Sequence, residues 1–95
     1  MGLFKKEKIT ILGVDFPYFN GKKRFLYTSN SKNTERYQRW DYYFKNDPEK
    51  LSEYLIKLGT YGFMPISSIK YIKNNAYIIV ENYAGGLHIA FHVNK

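Results

Sequence analysis

The sequence predicts a small α+β domain: one helix near 48–58 on an antiparallel sheet of about five to six strands, entered through an N-terminal β-hairpin. Three observations carry this expectation. The closing stretch "LHIAFHVNK" alternates apolar and polar residues, which is the period of a strand with one face buried. Turn-forming pairs (Asn20-Gly21, Asn74-Asn75, Gly85-Gly86) punctuate the apolar runs. Only the segment after Asp47 combines helical apolar spacing with helix caps. Ninety-five residues make a single domain, 1–95, divided into a hairpin and loop over 1–34 and a strand–helix–meander core over 35–95.

The elements follow in order. "KITILGV", 8–14, reads as a strand of β-branched and aliphatic residues. "DFPYFNG", 15–21, reads as a loop or wide turn, and "KKRFLYT", 22–28, as the returning strand. "SNSKNT", 29–34, has no apolar residue and reads as a loop. "ERYQRWDYYFK", 35–45, holds five aromatics and three basic groups. As a strand it sends Trp40, Tyr42 and Phe44 to the core and Tyr37, Arg39, Asp41 and Tyr43 to the outer face.

Asp47 is a good N-cap and Pro48 suits the first helical position, where its missing N–H costs nothing. Leu51, Tyr54, Leu55 and Leu58 then form one apolar stripe, and Gly59 reads as the C-terminal αL cap. Beyond it, "ISSIKYIK" suits a strand or a short helix, with Ile66, Ile69 and Ile72 as its apolar positions. "AYIIVEN", 76–82, is apolar on both faces and reads as a central strand. In 87–93, Leu87, Ile89, Phe91 and Val93 point inward, leaving His88 and His92 as half-exposed edge residues.

Three stretches, "WDYYF", "LGTYGFMPIS" and "AGGLHIAFHV", resemble a short bacterial and phage domain of unknown function. That family runs strand, helix, two or three strands, with L-G-x-x-G-W-x-L-V-S after the helix. Here Phe63 stands for the Trp and Pro65 for the Leu. The resemblance covers residues 40–95. It implies structural roles for Gly59 and Gly62 and core roles for Phe63 and Ile66, and it carries no activity.

Composition narrows the chemistry. There is no cysteine, which removes disulfides, thiolate metal sites and cysteine nucleophiles together. His88 and His92 on one strand stand about 13 Å apart, too far to share a metal. No phosphate-binding glycine loop is present, and the S-x-x-K pattern in "MPISSIK" lacks the other pieces of a serine acyl-enzyme, so the chain reads as a non-enzyme without cofactor. It shows no apolar run long enough to span a bilayer, so it reads as soluble and cytoplasmic, without a membrane partner.

The net charge is +7, and +6 of it lies in residues 1–45. A one-sided basic excess suggests an anionic macromolecule, nucleic acid or nucleoprotein, as partner. Lys22, Lys23 and Arg24 are the candidate phosphate contacts, Arg36 and Arg39 extend them, and Tyr37 and Tyr43 are candidates for stacking on bases. The alternatives are a protein-interaction or homo-oligomerisation module, such as a phage or mobile-element inhibitor of a host complex, and a pocket for a small anion such as a nucleotide between hairpin and sheet.

Overall fold

The computed structural model describes residues 7–25 and 33–95. Strands β1 (Lys8–Ile11) and β2 (Val14–Pro17) form a two-stranded hairpin. Strands β3 (Lys23–Phe25), β4 (Tyr37–Phe44), β5 (Met64–Pro65), β6 (Lys70–Lys73), β7 (Ala76–Tyr83) and β8 (Gly86–Asn94) form a six-stranded sheet, with helix α1 (Pro48–Thr60) between β4 and β5. The sheet order is β3-β4-β8-β7-β6-β5, with every neighbouring pair antiparallel. This is the α+β class expected from the sequence.

The hairpin exists, but its turn is elsewhere. Ile11 pairs with Val14, so Leu12-Gly13 is a two-residue turn, with φ of 49° and 81°. Positive φ at both positions matches the twist of the flanking strands. A leucine there costs about 1–2 kcal/mol, which is why Leu-Gly is a poor turn signal. The predicted strand 8–14 therefore contains the turn, and residues 14–17, placed largely in a loop, are its second strand. β3 does not return onto β1; it pairs with the end of β4. The rest of the predicted strand, 26–28, and most of the predicted loop, 29–32, lie outside the described residues.

The helix begins where its caps dictate. The Asp47 carboxylate accepts from the Lys50 backbone N–H at 3.1 Å, and Pro48 occupies the first turn. Tyr54 and Leu58 are buried, with Leu51 and Leu55 packed at the rim. The exit differs from expectation. Gly59 stays helical, and the positive φ (91°) belongs to Gly62, whose N–H donates to the Gly59 carbonyl. Gly85-Gly86 is likewise shifted by one. The turn is Ala84-Gly85, while Gly86 sits in β8, where a Cβ would lie 2.7 Å from the Phe44 carbonyl oxygen. Gly86 is required for close backbone approach, not for turning. Asn74-Asn75 forms the β6–β7 turn as expected, with Asn74 at φ 53°.

Helix and hairpin meet the sheet on one face. Phe44, Ile78, Leu87, Ile89, Phe91 and Val93 supply the sheet's side of the core. Phe16 anchors the hairpin, its ring 5.3 Å from Phe63 and 5.2 Å from Phe91. The Tyr54 hydroxyl donates to the Pro17 carbonyl at 2.7 Å, and burial pushes its pKa well up, so the bond persists across ordinary pH. Two core assignments change. Trp40 is only partly buried, its indole N–H held by Gln38 at 3.0 Å, and Ile66 is exposed. The 66–73 segment is strand only over β6, with no helix.

The two helix-end glycines make opposite predictions. Gly59→Ala meets open space in a helical position and should stabilise the domain by about 0.5–1 kcal/mol. Gly62→Ala forces a side chain into the left-handed region and should cost about 1–2 kcal/mol. Urea denaturation of both variants checks the assignment; the reverse order would restore Gly59 as the cap.

Candidate functional site

Strand alternation decides what occupies the face opposite the helix. β4 contributes Tyr37, Arg39, Asp41 and Tyr43; β8 contributes Gly86, His88, Ala90 and His92; β7 contributes Tyr77, Ile79, Glu81 and Tyr83. Lys70 of β6 stands beside Ile79. β8 is central, so its histidines are not half-exposed edge residues. His88 is 5% exposed and His92 9%. Asp41 is also buried, at 4%.

These buried polar groups form a chain across three strands. His88 Nε2 lies 2.7 Å from Asp41 Oδ1, and His88 Nδ1 lies 2.8 Å from Glu81 Oε2. Ionised carboxylates only accept, so the ring must donate from both nitrogens and is an imidazolium. Arg39 completes the chain, with Nη2 3.0 Å and Nε 3.1 and 3.2 Å from the Asp41 carboxylate. Charge therefore alternates along Arg39, Asp41, His88 and Glu81. The hydrogen bond to Asp41 raises the His88 pKa against the desolvation that lowers it, and Glu81 adds to the rise. Burial pushes Asp41 up, but the bonds from His88 and Arg39 outweigh it and leave the carboxyl below its ordinary range.

His92 is the opposite case. Burial pushes its pKa down, and Arg39 and Lys70 push it further, against a smaller opposing pull from Asp41. Its Nε2 meets the Tyr37 hydroxyl at 2.7 Å, and its Nδ1 has no partner among the described residues.

Tyrosines rest on both histidines. Tyr43 stacks on His88 with centroids 4.8 Å apart and planes at 17°, and Tyr83 adjoins Tyr43 at 5.3 Å. Tyr77 lies 4.1 Å from His92, and Tyr37 meets the same ring edge-on at 4.8 Å. Tyr37, Tyr43 and Tyr77 are partly buried, and Tyr83 is exposed.

Of the residues singled out from sequence, Tyr37, Arg39 and Tyr43 share this face. Arg24 reaches it, its guanidinium donating to the Tyr83 carbonyl at 2.8 Å. Arg36 is exposed just before β4, and Lys22 is exposed just before β3. Lys23 goes the other way, its ammonium 5.7 Å from the Tyr42 ring on the helix side. Lys22 to Arg24 and Arg39 are thus not one continuous surface. Arg39 is also not a free cation, since its fork is taken by Asp41. Tyr77, Tyr83 and Lys70 are new members. Tyr77 and Tyr83 share a face by simple alternation and Lys70 joins them across the Asn74-Asn75 hairpin, but joining all three to β4 needs β8 placed between β4 and β7.

Among the cavities of the described residues, two flank the helix. One, of about 160 Å³, is lined by Asn20, Lys50, Glu53 and Lys57 among others. It is small for a nucleotide, and the Lys50 ammonium is already bonded to the Asn20 carbonyl at 3.0 Å. The other, of about 270 Å³, lies under Leu51 and Leu55. Among the described residues, no group of three or more His, Asp or Glu is arranged to hold a metal ion, and no helix is long and apolar enough to cross a membrane.

No protein-family model, curated protein or solved structure matches the chain.

The network sets a pH profile for stability. His88 is raised in the folded state, so its contribution is complete below its unfolded pKa, about 6.5, and is lost as pH rises through the folded value. Asp41 is lowered, so its contribution is complete above about 3.9 and is lost as pH falls through the folded value. His92 is also lowered, so its part is present above about 6.5 and fades with acid. Melting temperature should therefore fall on both sides, with the alkaline fall assigned to His88. His88→Gln should remove that alkaline fall, and Asp41→Ala should cost about 3–5 kcal/mol by removing one of the two counter-charges of a buried cation. A wild-type melting temperature flat from neutral to alkaline pH would refute the imidazolium.

Proposed function

We propose that the protein is a non-catalytic binding module for an anionic macromolecule, nucleic acid foremost, engaged through the tyrosine-bearing face of the sheet. The observation that carries this reading is the company the tyrosines keep. Arg24, Arg39, Lys70 and the His88 imidazolium stand on that face against two carboxylates, Asp41 and Glu81, so its local balance is positive. Arg36 extends the charge at one end of β4, and Lys22 extends it past the other. Lysine and arginine at the margin supply long-range attraction, while half-exposed tyrosine rings offer contact area at little entropic cost. A non-catalytic role agrees with the state of the histidines. His88 has both nitrogens committed, and His92 is buried behind Tyr37 and Tyr77, so neither is poised to exchange protons with a substrate.

One observation favours a second reading. Met64, Ile66, Ile69 and Ile72 are exposed along the β5–β6 edge, Met64 and Ile72 on the tyrosine face and Ile69 toward Leu51 and Leu55. Such a patch suits a protein partner or a second copy of this chain. Sedimentation equilibrium would report self-association, and Ile69→Lys should abolish it if this edge is responsible.

The main reading is tested by salt. Affinity for a mixed-sequence oligonucleotide, read by fluorescence anisotropy, should fall as salt rises, with a log–log slope of about −2 to −3 for some three phosphate contacts. The double variant Arg36→Glu/Lys70→Glu should weaken binding about tenfold or more and flatten the slope. Lys57→Glu, exposed on the helix, should leave both unchanged. Binding insensitive to salt, or equally reduced by Lys57→Glu, would count against this face.

A further inference from the structure

The tyrosine face is not uniform. Its rings gather at two stations, each built on one histidine of β8. At the first, His92 carries Tyr77 and Tyr37. At the second, His88 carries Tyr43, with Tyr83 alongside. His88 and His92 are four residues apart on one strand, so the stations are separated by about 13 Å. Between them lie Ala90, a single methyl group, and Ile79 of β7. Beside them on β4 lies the Arg39–Asp41 pair, so the interval is a low saddle with one ion pair and no third aromatic ring.

Each station also has a cation at hand. The Lys70 ammonium lies 4.2 Å from the Tyr77 ring centroid, and the Arg24 guanidinium is bonded to the carbonyl of Tyr83 itself. Ring and charge recur as a pair at both ends of the face. A nucleotide has the same two parts, a flat base and a phosphate.

The rings are supported from beneath. The histidines that hold them are buried, and the His88 ring is fixed by two carboxylates. Such rings lose little freedom when a second flat group lies on them. In a duplex every base face is covered by the next base at a 3.4 Å rise, so no face is free to lie on a protein ring. Only an unpaired strand can splay two bases across stations about 13 Å apart, as sheet-based readers of single strands do.

We infer that the face takes single-stranded nucleic acid, with one base on Tyr77 at the His92 station and one on Tyr83 and Tyr43 at the His88 station. Lys70, which lies over the Tyr77 ring in the free protein, moves off it to meet the phosphate at that station, and Arg24 meets the phosphate at the other. This rests on the anionic-macromolecule reading and narrows it to one class of ligand. The sugar is not specified by stacking, so deoxyribose and ribose strands share the chemistry.

The test uses labelled homopolymer oligonucleotides, as DNA and as RNA, beside a hairpin duplex of equal length, compared at matched salt concentrations across a titration from low salt. Single strands should bind at least tenfold tighter than the duplex. Tyr77→Leu and Tyr83→Leu should each weaken single-strand binding about tenfold. Tyr83→Phe should retain wild-type affinity, because stacking uses the ring and not the hydroxyl. Tyr83 is exposed, so its variants test the site without emptying the core, and circular dichroism melts confirm folding. Duplex bound as tightly as single strand, with a steep salt dependence, would overturn the two-station proposal and leave the anionic-macromolecule reading standing. Absence of binding to any of these nucleic acids at low salt would overturn both.

Discussion

The His88 ring, with a carboxylate on each nitrogen, is the interaction on which the sheet turns. It joins β4, β8 and β7 through side chains where backbone ladders already join them. A buried imidazolium is tolerable only with counter-charges in place, and an isolated one would cost several kcal/mol. The alternating series from Arg39 to Glu81 therefore acts as a register lock. A slip of β8 by one residue would move His88 to the helix side and separate it from both carboxylates, while Leu87 would turn out to the polar face. The apolar core penalises the same slip from its own side, through Ile89, Phe91 and Val93. The two faces of β8 thus specify one alignment by different physics.

That arrangement explains the aromatic richness of 35–45. The segment is both core wall and surface, divided by the pleat of one strand. Phe44 is sealed in the core, and Trp40 and Tyr42 line its rim. Tyr37 and Tyr43 go to the other side, each against a histidine. An imidazole beneath a phenol fills the space a leucine would fill in a two-layer core, yet it keeps a polar edge for Asp41, Glu81 or Tyr37. The face is consequently well packed without being apolar, so its tyrosines can meet water or, in the proposed function, a ligand.

Local chemistry was legible in the sequence, and long-range placement was not. Asp47-Pro48 announced the helix start because capping is a property of adjacent residues. Asn74-Asn75 announced a turn for the same reason. Gly59 misled because Gly62, three residues on, could equally end the helix, and only the φ angle tells them apart. Leu12-Gly13 was hidden because leucine is a strained residue in that turn, held there by the hairpin it closes. His88 and His92 were assigned to the correct face but to the wrong environment. Alternation reveals facing, whereas burial depends on β8 lying between β4 and β7, a pairing between segments over forty residues apart. The same gap concealed Tyr77 and Tyr83 from the candidate site and let Arg39 pass for a free cation.

The position of β8 carries a consequence for how the molecule is made. In chain order it follows every element it joins, yet it fills the middle of the sheet. Until it emerges from the ribosome, β4 and β7 each present an open edge, and the Asp41 and Glu81 carboxylates have no imidazolium between them. Unpaired edges of this kind invite pairing with other chains. The nascent domain is therefore sticky for as long as translation takes to travel from β4 to the end of β8, and closure of the sheet is a single late event rather than a gradual accretion. A chaperone that shields strand edges would act in that interval, and a slow stretch of message placed before β8 would lengthen it.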